Sequence, residues 1–183
     1  VSKAVITSVI KNYKNSKKIF FNRSQKKVKN FLKNFNKKNI KTLNNYNEIQ
    51  NLRDIKLVVN ATSVGFDTWF SVKKNYFNLK YFSPISNSSN FIKINKKSEK
   101  SFVKENIEVI KSNILNSFKF FKNNPKCKVI DVVHTPEETV LMQLSSQTKM
   151  NGIEMNLDQA VYAFKEVNEF KSFEKLKKIM KDK

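Results

Sequence analysis

The chain has 183 residues, 36 of them Lys or Arg against 15 Asp or Glu, and its 39% apolar content suits one ordinary domain with a core of its own. Its one cysteine, Cys127, excludes a disulfide framework and a cysteine-based metal site, and the lack of any apolar run near ~18 residues excludes an ordinary transmembrane helix. The formal charge of +21 points to nucleic acid or an anionic membrane surface; the lysines, however, are dispersed among asparagines without any zinc-finger, RNP-type or heptad pattern, so the expectation is nonspecific polyanion affinity that fades with salt.

Residues 3–14 place Ala4, Val5, Val9, Ile10 and Tyr13 at helical spacing. The run Ile19-Phe20-Phe21 within residues 17–22 reads as a short strand covered on both faces, because β-branched and aromatic residues in an unbroken run suit that setting. Ser24 is a good N-cap for a helix over residues 24–35, in which Val28, Phe31, Leu32 and Phe35 recur on one face. Between them lie Asn22 and Arg23. Of 36 basic residues only Arg23 and Arg53 are arginine, so a guanidinium at a strand-to-helix turn, with Lys27 close behind, stands out from the lysine background as a place to hold a phosphate.

Residues 40–43 read as a short strand, 46–52 as a short helix and 55–60 as a buried strand. Alternating helix and buried strand predicts a parallel α/β sheet. Residues 66–95 mix aromatics with Ser, Asn and Lys and read as loop with at most irregular strands, whereas 99–122 recover helical periodicity through Phe102, Ile107, Ile110, Ile114, Leu115 and Phe118. A buried strand over 128–133 follows Pro125, with Cys127 expected as an inert thiol at its edge. A helix over 138–145, a short strand over 148–151, a helix over 157–170 and its Lys-rich continuation over 172–183 complete the chain.

Three stretches carry polar chemistry where open α/β sheets bind ligands, at strand C-termini and helix N-termini. They are Asn60-Ala61-Thr62-Ser63-Val64-Gly65; Asp131-Val132-Val133-His134-Thr135-Pro136-Glu137-Glu138-Thr139; and Gly152-Ile153-Glu154-Met155 with Gln159-Ala160. Together with Lys3-Ala4 and Asn22-Arg23-Ser24, in this order, they resemble the C-terminal NADP-binding domain of the shikimate dehydrogenase family, whose pattern runs Asn-Arg-[Thr/Ser], Asn-Ala-Thr-x-x-Gly, Asp-x-x-Tyr-x-Pro-x-x-Thr, Gly-x-x-Met-x-x-x-Gln-Ala. Both glycines of the chain, Gly65 and Gly152, fall inside these stretches.

The resemblance implies a Rossmann-like, mostly parallel sheet with flanking helices, spanning 1–183 with an insertion at about 66–126. It implies that Asn22, Arg23, Ser24 and Lys27 bind the ribose 2′-phosphate of NADP. It also implies that Asn60, Thr62 and Ser63 lie along the cofactor, that Val132 and Gly152 lie near its nicotinamide end, and that Gln159 contacts a shikimate-like hydroxy acid from the first turn of its helix. An NAD-binding turn carries Asp or Glu at this strand end, which would repel a phosphate; here the strand ends in Asn22 and Arg23. His134, the one histidine, stands where the family has a substrate-contacting Tyr, and its role is open between a structural one and substrate contact. Trp69 is expected to pack within the insertion rather than line the cleft.

The family's glycine-rich loop and first strand correspond to nothing in this chain, nor does its substrate domain with the Lys and Asp of proton transfer, so the chain by itself is expected to catalyse nothing. No metal is expected, nor a specific nucleic-acid or membrane partner. With no signal-peptide apolar segment the default setting is cytoplasmic. A non-catalytic NADP-binding or regulatory domain is the alternative, and a basic nucleic-acid binder the third reading.

Overall fold

A computed structural model describes residues 2–36, 38–168 and 172–181. In chain order the elements are α1 (Ser2–Asn12), β1 (Lys18–Phe20), α2 (Gln25–Leu32), β2 (Ile40–Thr42), α3 (Tyr46–Gln50), β3 (Leu57–Asn60), β4 (Trp69–Val72), β5 (Asn75–Asn78), α4 (Glu99–Asn123), β6 (Lys128–Asp131), α5 (Val140–Gln143), β7 (Lys149–Met150), α6 (Ile153–Asn168) and α7 (Phe173–Lys181). The chain is a mixed α/β protein with parallel strands, as the alternation of elements implies. The expected end of the late helix at Phe170 and of its continuation at Lys183 lie outside the described residues.

The parallel strands fall into two groups. β1 pairs with β2, Ile19 opposite Lys41, and β3, β6 and β7 form a second sheet in that order, with Val58 opposite Val129 and Val129 opposite Lys149. Neither β1 nor β3 has a second strand neighbour among the described residues. One core serves both groups: Leu43, Ile49, Phe120, Val129 and Leu141 are buried at its centre, and Ile19 and Val58 pack against it from the two sides. Because β1 is an edge, Ile19 and Phe20 are only half-buried, which corrects the expectation of a strand covered on both faces.

Local chemistry sets the element boundaries. Asn45 and Glu48 form a capping box on α3: the Asn45 side chain accepts from the Glu48 N–H at 3.1 Å, and Glu48 Oε1 accepts from the Asn45 N–H at 3.2 Å. Ser24 precedes α2 as expected, but its hydroxyl makes no capping bond. Its backbone N–H instead donates to Asn22 Oδ1 at 2.8 Å, an Asx turn that competes with the cap. The helix expected over 138–145 contracts to α5, because Thr139 caps it with an acceptor for the Met142 N–H.

Residues 66–95 are more ordered than expected. β4 and β5 form a regular antiparallel hairpin whose turn, Lys73-Lys74, has φ of 49° and 65°. Two positive φ values in a two-residue loop match the twist of the flanking strands, a conformation usually signalled by Asn-Gly, so Lys-Lys concealed it. Phe70 stacks on Phe77 across the hairpin at 5.1 Å, and Trp69 meets Phe102 edge-on at 5.8 Å within a second core of Phe82, Ile94, Phe102 and Ile110. Trp69 thus packs in this second core, among residues of 66–126.

α4 joins the two cores, and asparagines on its buried face hold the loops that cross it. Asn113 accepts from the Ser83 N–H at 2.8 Å and donates to the Ser86 carbonyl at 3.2 Å. Asn106 accepts from the Ile92 N–H and donates to the Ile92 carbonyl; Asn124 accepts from the Ile55 N–H at 3.0 Å and donates to the Leu52 carbonyl at 3.1 Å. A buried loop backbone without a strand partner has to find donors and acceptors elsewhere, and here side-chain amides supply them. Replacing Asn113 by Ala leaves the buried Ser83 N–H without its acceptor; urea denaturation should show a loss of about 2–4 kcal/mol, against less than about 0.5 kcal/mol for Lys104→Ala on the exposed face of the same helix.

Candidate functional site

The three polar stretches 60–65, 131–139 and 152–160 follow the C-terminal ends of β3, β6 and β7. At the centre is Asp131, fully buried at the end of β6. Its Oδ1 accepts from Asn60 Nδ2 at 2.9 Å and from the Val133 N–H at 3.0 Å, and its Oδ2 accepts from the Thr139 hydroxyl at 2.7 Å. Burial pushes its carboxyl above the usual carboxylate range, opposed by the three donors, Thr139 first. The network ties the ends of two adjacent strands to the start of α5.

Asn60 extends the network into the loop behind β3. Its Oδ1 accepts from both the backbone N–H and the hydroxyl of Thr62, at 3.0 and 2.7 Å, and its Nδ2 also reaches the Val64 carbonyl at 2.9 Å. The polar side-chain atoms of Asn60 and Thr62 are therefore engaged within the protein, where they shape the loop, and Ser63 at its tip is exposed. Gly65 closes the loop with φ of 101°, and a Cβ there would sit 3.4 Å from Thr139 Cβ.

Val132 and Gly152 are brought into direct contact. A Cβ on Gly152 would lie 1.9 Å from the Val132 carbonyl oxygen, so no side chain fits without moving the backbone. The Gly152 N–H donates to the Val133 carbonyl at 3.1 Å. Next to this contact His134 is exposed, with Nδ1 3.0 Å from Asn156 Nδ2. With the amide donating, Nδ1 is the acceptor and Nε2 carries the proton. Phe66 lies against the imidazole at 5.5 Å, and the Asp67 N–H donates to the Thr135 carbonyl at 2.7 Å across the cis Thr135-Pro136 bond.

Gln159 is exposed on α6, which starts at Ile153, so it lies in the second turn rather than the first. It follows Asn156 by three residues, which places both on one helix face. Asn156 and Asp67 are the residues that motif reading passes over; the signal for Asn156 was its place directly after Met155, inside the Gly-x-x-Met-x-x-x-Gln stretch.

Asn22, Arg23, Ser24 and Lys27 sit together at the end of β1 and the start of α2. Asn22 is occupied by the Asx turn, while the Arg23 and Lys27 side chains are exposed and make no hydrogen bond or ion pair among the described residues. Arg23 acts electrostatically on the neighbouring Tyr46, whose hydroxyl burial pushes up against the pull of that guanidinium. The donor set suits a phosphate: two uncommitted cations, a hydroxyl and a helix N-terminus, with no carboxylate in the stretch from Asn22 to Lys27. Elsewhere, a cleft of about 320 Å³ lies between α3 and α4, walled by Tyr46, Asn47, Asn87 and Val109. A more open one of about 500 Å³ lies by Glu138, Lys149 and Asn151, next to the Gly152 contact.

Cys127 is buried and its thiol is pushed up to about 11 by burial, which makes it inert. The described residues contain no cluster of three or more His, Cys, Asp or Glu fit for a metal, and no helix long and apolar enough to cross a membrane. Comparisons of the chain with protein-family models, with curated proteins and with solved structures found no match.

The Asp131 network separates two substitutions. Asp131→Ala strands the Asn60 amide and the Thr139 hydroxyl and should cost about 3 kcal/mol or more in urea denaturation, whereas Asp131→Asn retains acceptor and donor and should cost about 1 kcal/mol. A carboxyl whose folded pKa is raised stabilises the fold fully below its unfolded pKa and loses that contribution as pH rises through the folded value. Wild type should therefore gain stability relative to D131N as pH falls from neutrality toward 4, and a flat difference across that window would contradict the assignment.

Proposed function

We propose that this chain is the NADP-binding part of a shikimate dehydrogenase-like oxidoreductase, Rossmann-like in topology, carrying an insertion at about 66–126. The observation that carries the reading is the split of the parallel strands. A doubly wound sheet has the order 3-2-1-4-5-6. Without its first strand it leaves a two-stranded and a three-stranded parallel piece, in the orders β2-β1 and β3-β6-β7 found here. The glycine-rich loop of such a sheet follows that first strand and belongs with it.

In this reading Arg23 and Lys27 hold the 2′-phosphate through charge-assisted bonds, and Ser24 and the α2 N-terminus add donors. Asn22 sets the turn that presents them, through its bond to the Ser24 N–H. The Val132–Gly152 contact forms a close-packed backbone floor at the nicotinamide end, and the Asn60–Gly65 loop, braced by Asp131, forms its side wall. His134 Nε2 and Gln159 offer hydrogen bonds to a hydroxy acid. Bound NADP supplies the hydride donor or acceptor, and a substrate domain beyond these residues supplies proton transfer; the full-length protein then reduces 3-dehydroshikimate with NADPH.

Calorimetric titration tests the cofactor choice. NADP should bind at least about tenfold more tightly than NAD, with modest absolute affinity, and Arg23→Ala should cost about 1.5–3 kcal/mol for NADP and almost nothing for NAD. Equal affinity for the two cofactors, or an unchanged ratio in the Arg23→Ala protein, contradicts the reading.

A further inference from the structure

The outer face of α4 takes no part in the site above. Along it run Lys104, Ile107, Lys111, Leu115, Phe118 and Lys122, at spacings of three and four that place them in one row. The three apolar members are exposed: Ile107 by 45%, Leu115 by 59% and Phe118 by 53%. The opposite face of the same helix is already packed in the core through Phe102, Ile110, Phe120 and Phe121, so this row is a second apolar face on a helix that needs only one to fold.

The row holds no carboxylate. Glu108 borders it and is tied to Lys111 at 2.9 Å, and Glu105 lies away on the far flank. From Lys104 to Lys122 the row extends for ~27 Å at the helical rise. Lysines that alternate with Ile, Leu and Phe along a convex helix match a surface that is negative at its boundary and apolar just beneath it. Nucleic acid offers the charge but would leave the three apolar side chains in water. A protein partner would need an acidic apolar groove shaped to the helix, whereas a lipid surface adapts to the side chains.

We propose that this face of α4 docks the protein peripherally on an anionic lipid bilayer, with Leu115 and Phe118 inserted at the boundary between headgroups and acyl chains and the lysines on the lipid phosphates. The net charge of +21 brings the protein to the surface, and the row sets its orientation there. Peripheral docking needs no spanning helix, so it departs from the expectation of no membrane partner through a surface property. It is independent of the nucleotide reading.

Co-sedimentation of the full chain with vesicles at near-physiological salt tests it. The protein should pellet with phosphatidylcholine vesicles containing phosphatidylglycerol and stay in solution with phosphatidylcholine alone. The double substitution Leu115→Ser and Phe118→Ser, at exposed positions that leave the charge unchanged, should weaken binding at least about tenfold, while Val72→Ser, at an exposed apolar site on the hairpin, should have no effect. In a chain carrying Phe118→Trp and Trp69→Phe, anionic vesicles should shift the emission to the blue. Undiminished binding of the double variant means that diffuse charge alone attracts the protein and overturns the proposal. So does a lack of binding to anionic vesicles, binding to RNA but not to vesicles, or an emission spectrum unmoved by them.

Discussion

A carboxylate taken out of water must be surrounded by donors, and the way Asp131 meets that requirement fixes the geometry of the strand ends. Asn60 reaches it from β3, Thr139 from the cap of α5 and the Val133 N–H from the chain just beyond β6. Each of these contacts positions something else. Asn60 shapes the loop that ends at Gly65; Thr139 packs on Gly65 and caps α5; and the chain around Val133 receives the N–H of Gly152, whose missing side chain lets β7 and α6 approach the Val132 carbonyl. The polar residues of the motifs are therefore of two kinds. Asn60, Asp131 and Thr139 are buried and build the frame together with the exposed Thr62, whose hydroxyl is bonded to Asn60, while His134 and Gln159 on that side, and Arg23 and Lys27 at the end of β1, face solvent.

The segment over 66–126 solves a related problem by different means. The chain over 79–95 crosses α4 largely without strand partners, and an ordered loop in such a place carries unmet backbone groups. Asn106 and Asn113 satisfy them from the buried side of the helix, and Asn124 does the same for the chain entering β3. Asparagine is abundant throughout the sequence, but at these positions it is buried and bonded at both ends of its amide. The hairpin and α4 then share a second core of Phe82, Ile94, Phe102 and Ile110.

Periodicity made the helices legible: α2 and α4 show their apolar faces plainly, and α4 begins one residue after Ser98 as its pattern requires. The strand-end motifs were legible as polar residues following apolar runs, whereas the contact between Val132 and Gly152 was not, because it joins the end of one strand to the start of a helix 20 residues on. Sheet order was not, since which strands adjoin is decided by long-range packing that no local pattern records. The hairpin was hidden by a Lys-Lys turn, and the Ser24 cap was displaced by Asn22, two residues that compete for the same short stretch of backbone. The inward orientation of Asn60 was invisible because it depends on Asp131, 71 residues away.

The most direct test of the proposal that the turn at residues 22–27 binds a phosphate is a nuclear magnetic resonance titration of isotope-labelled protein with adenosine 2′-phosphate, with adenosine 5′-phosphate as the comparison. The backbone amides of Ser24, Gln25 and Lys26 and the side-chain guanidinium of Arg23 should shift with the 2′-phosphate and far less with the 5′-phosphate. Equal shifts for both nucleotides, or shifts spread over lysines throughout the surface with none concentrated at residues 22–27, would contradict it.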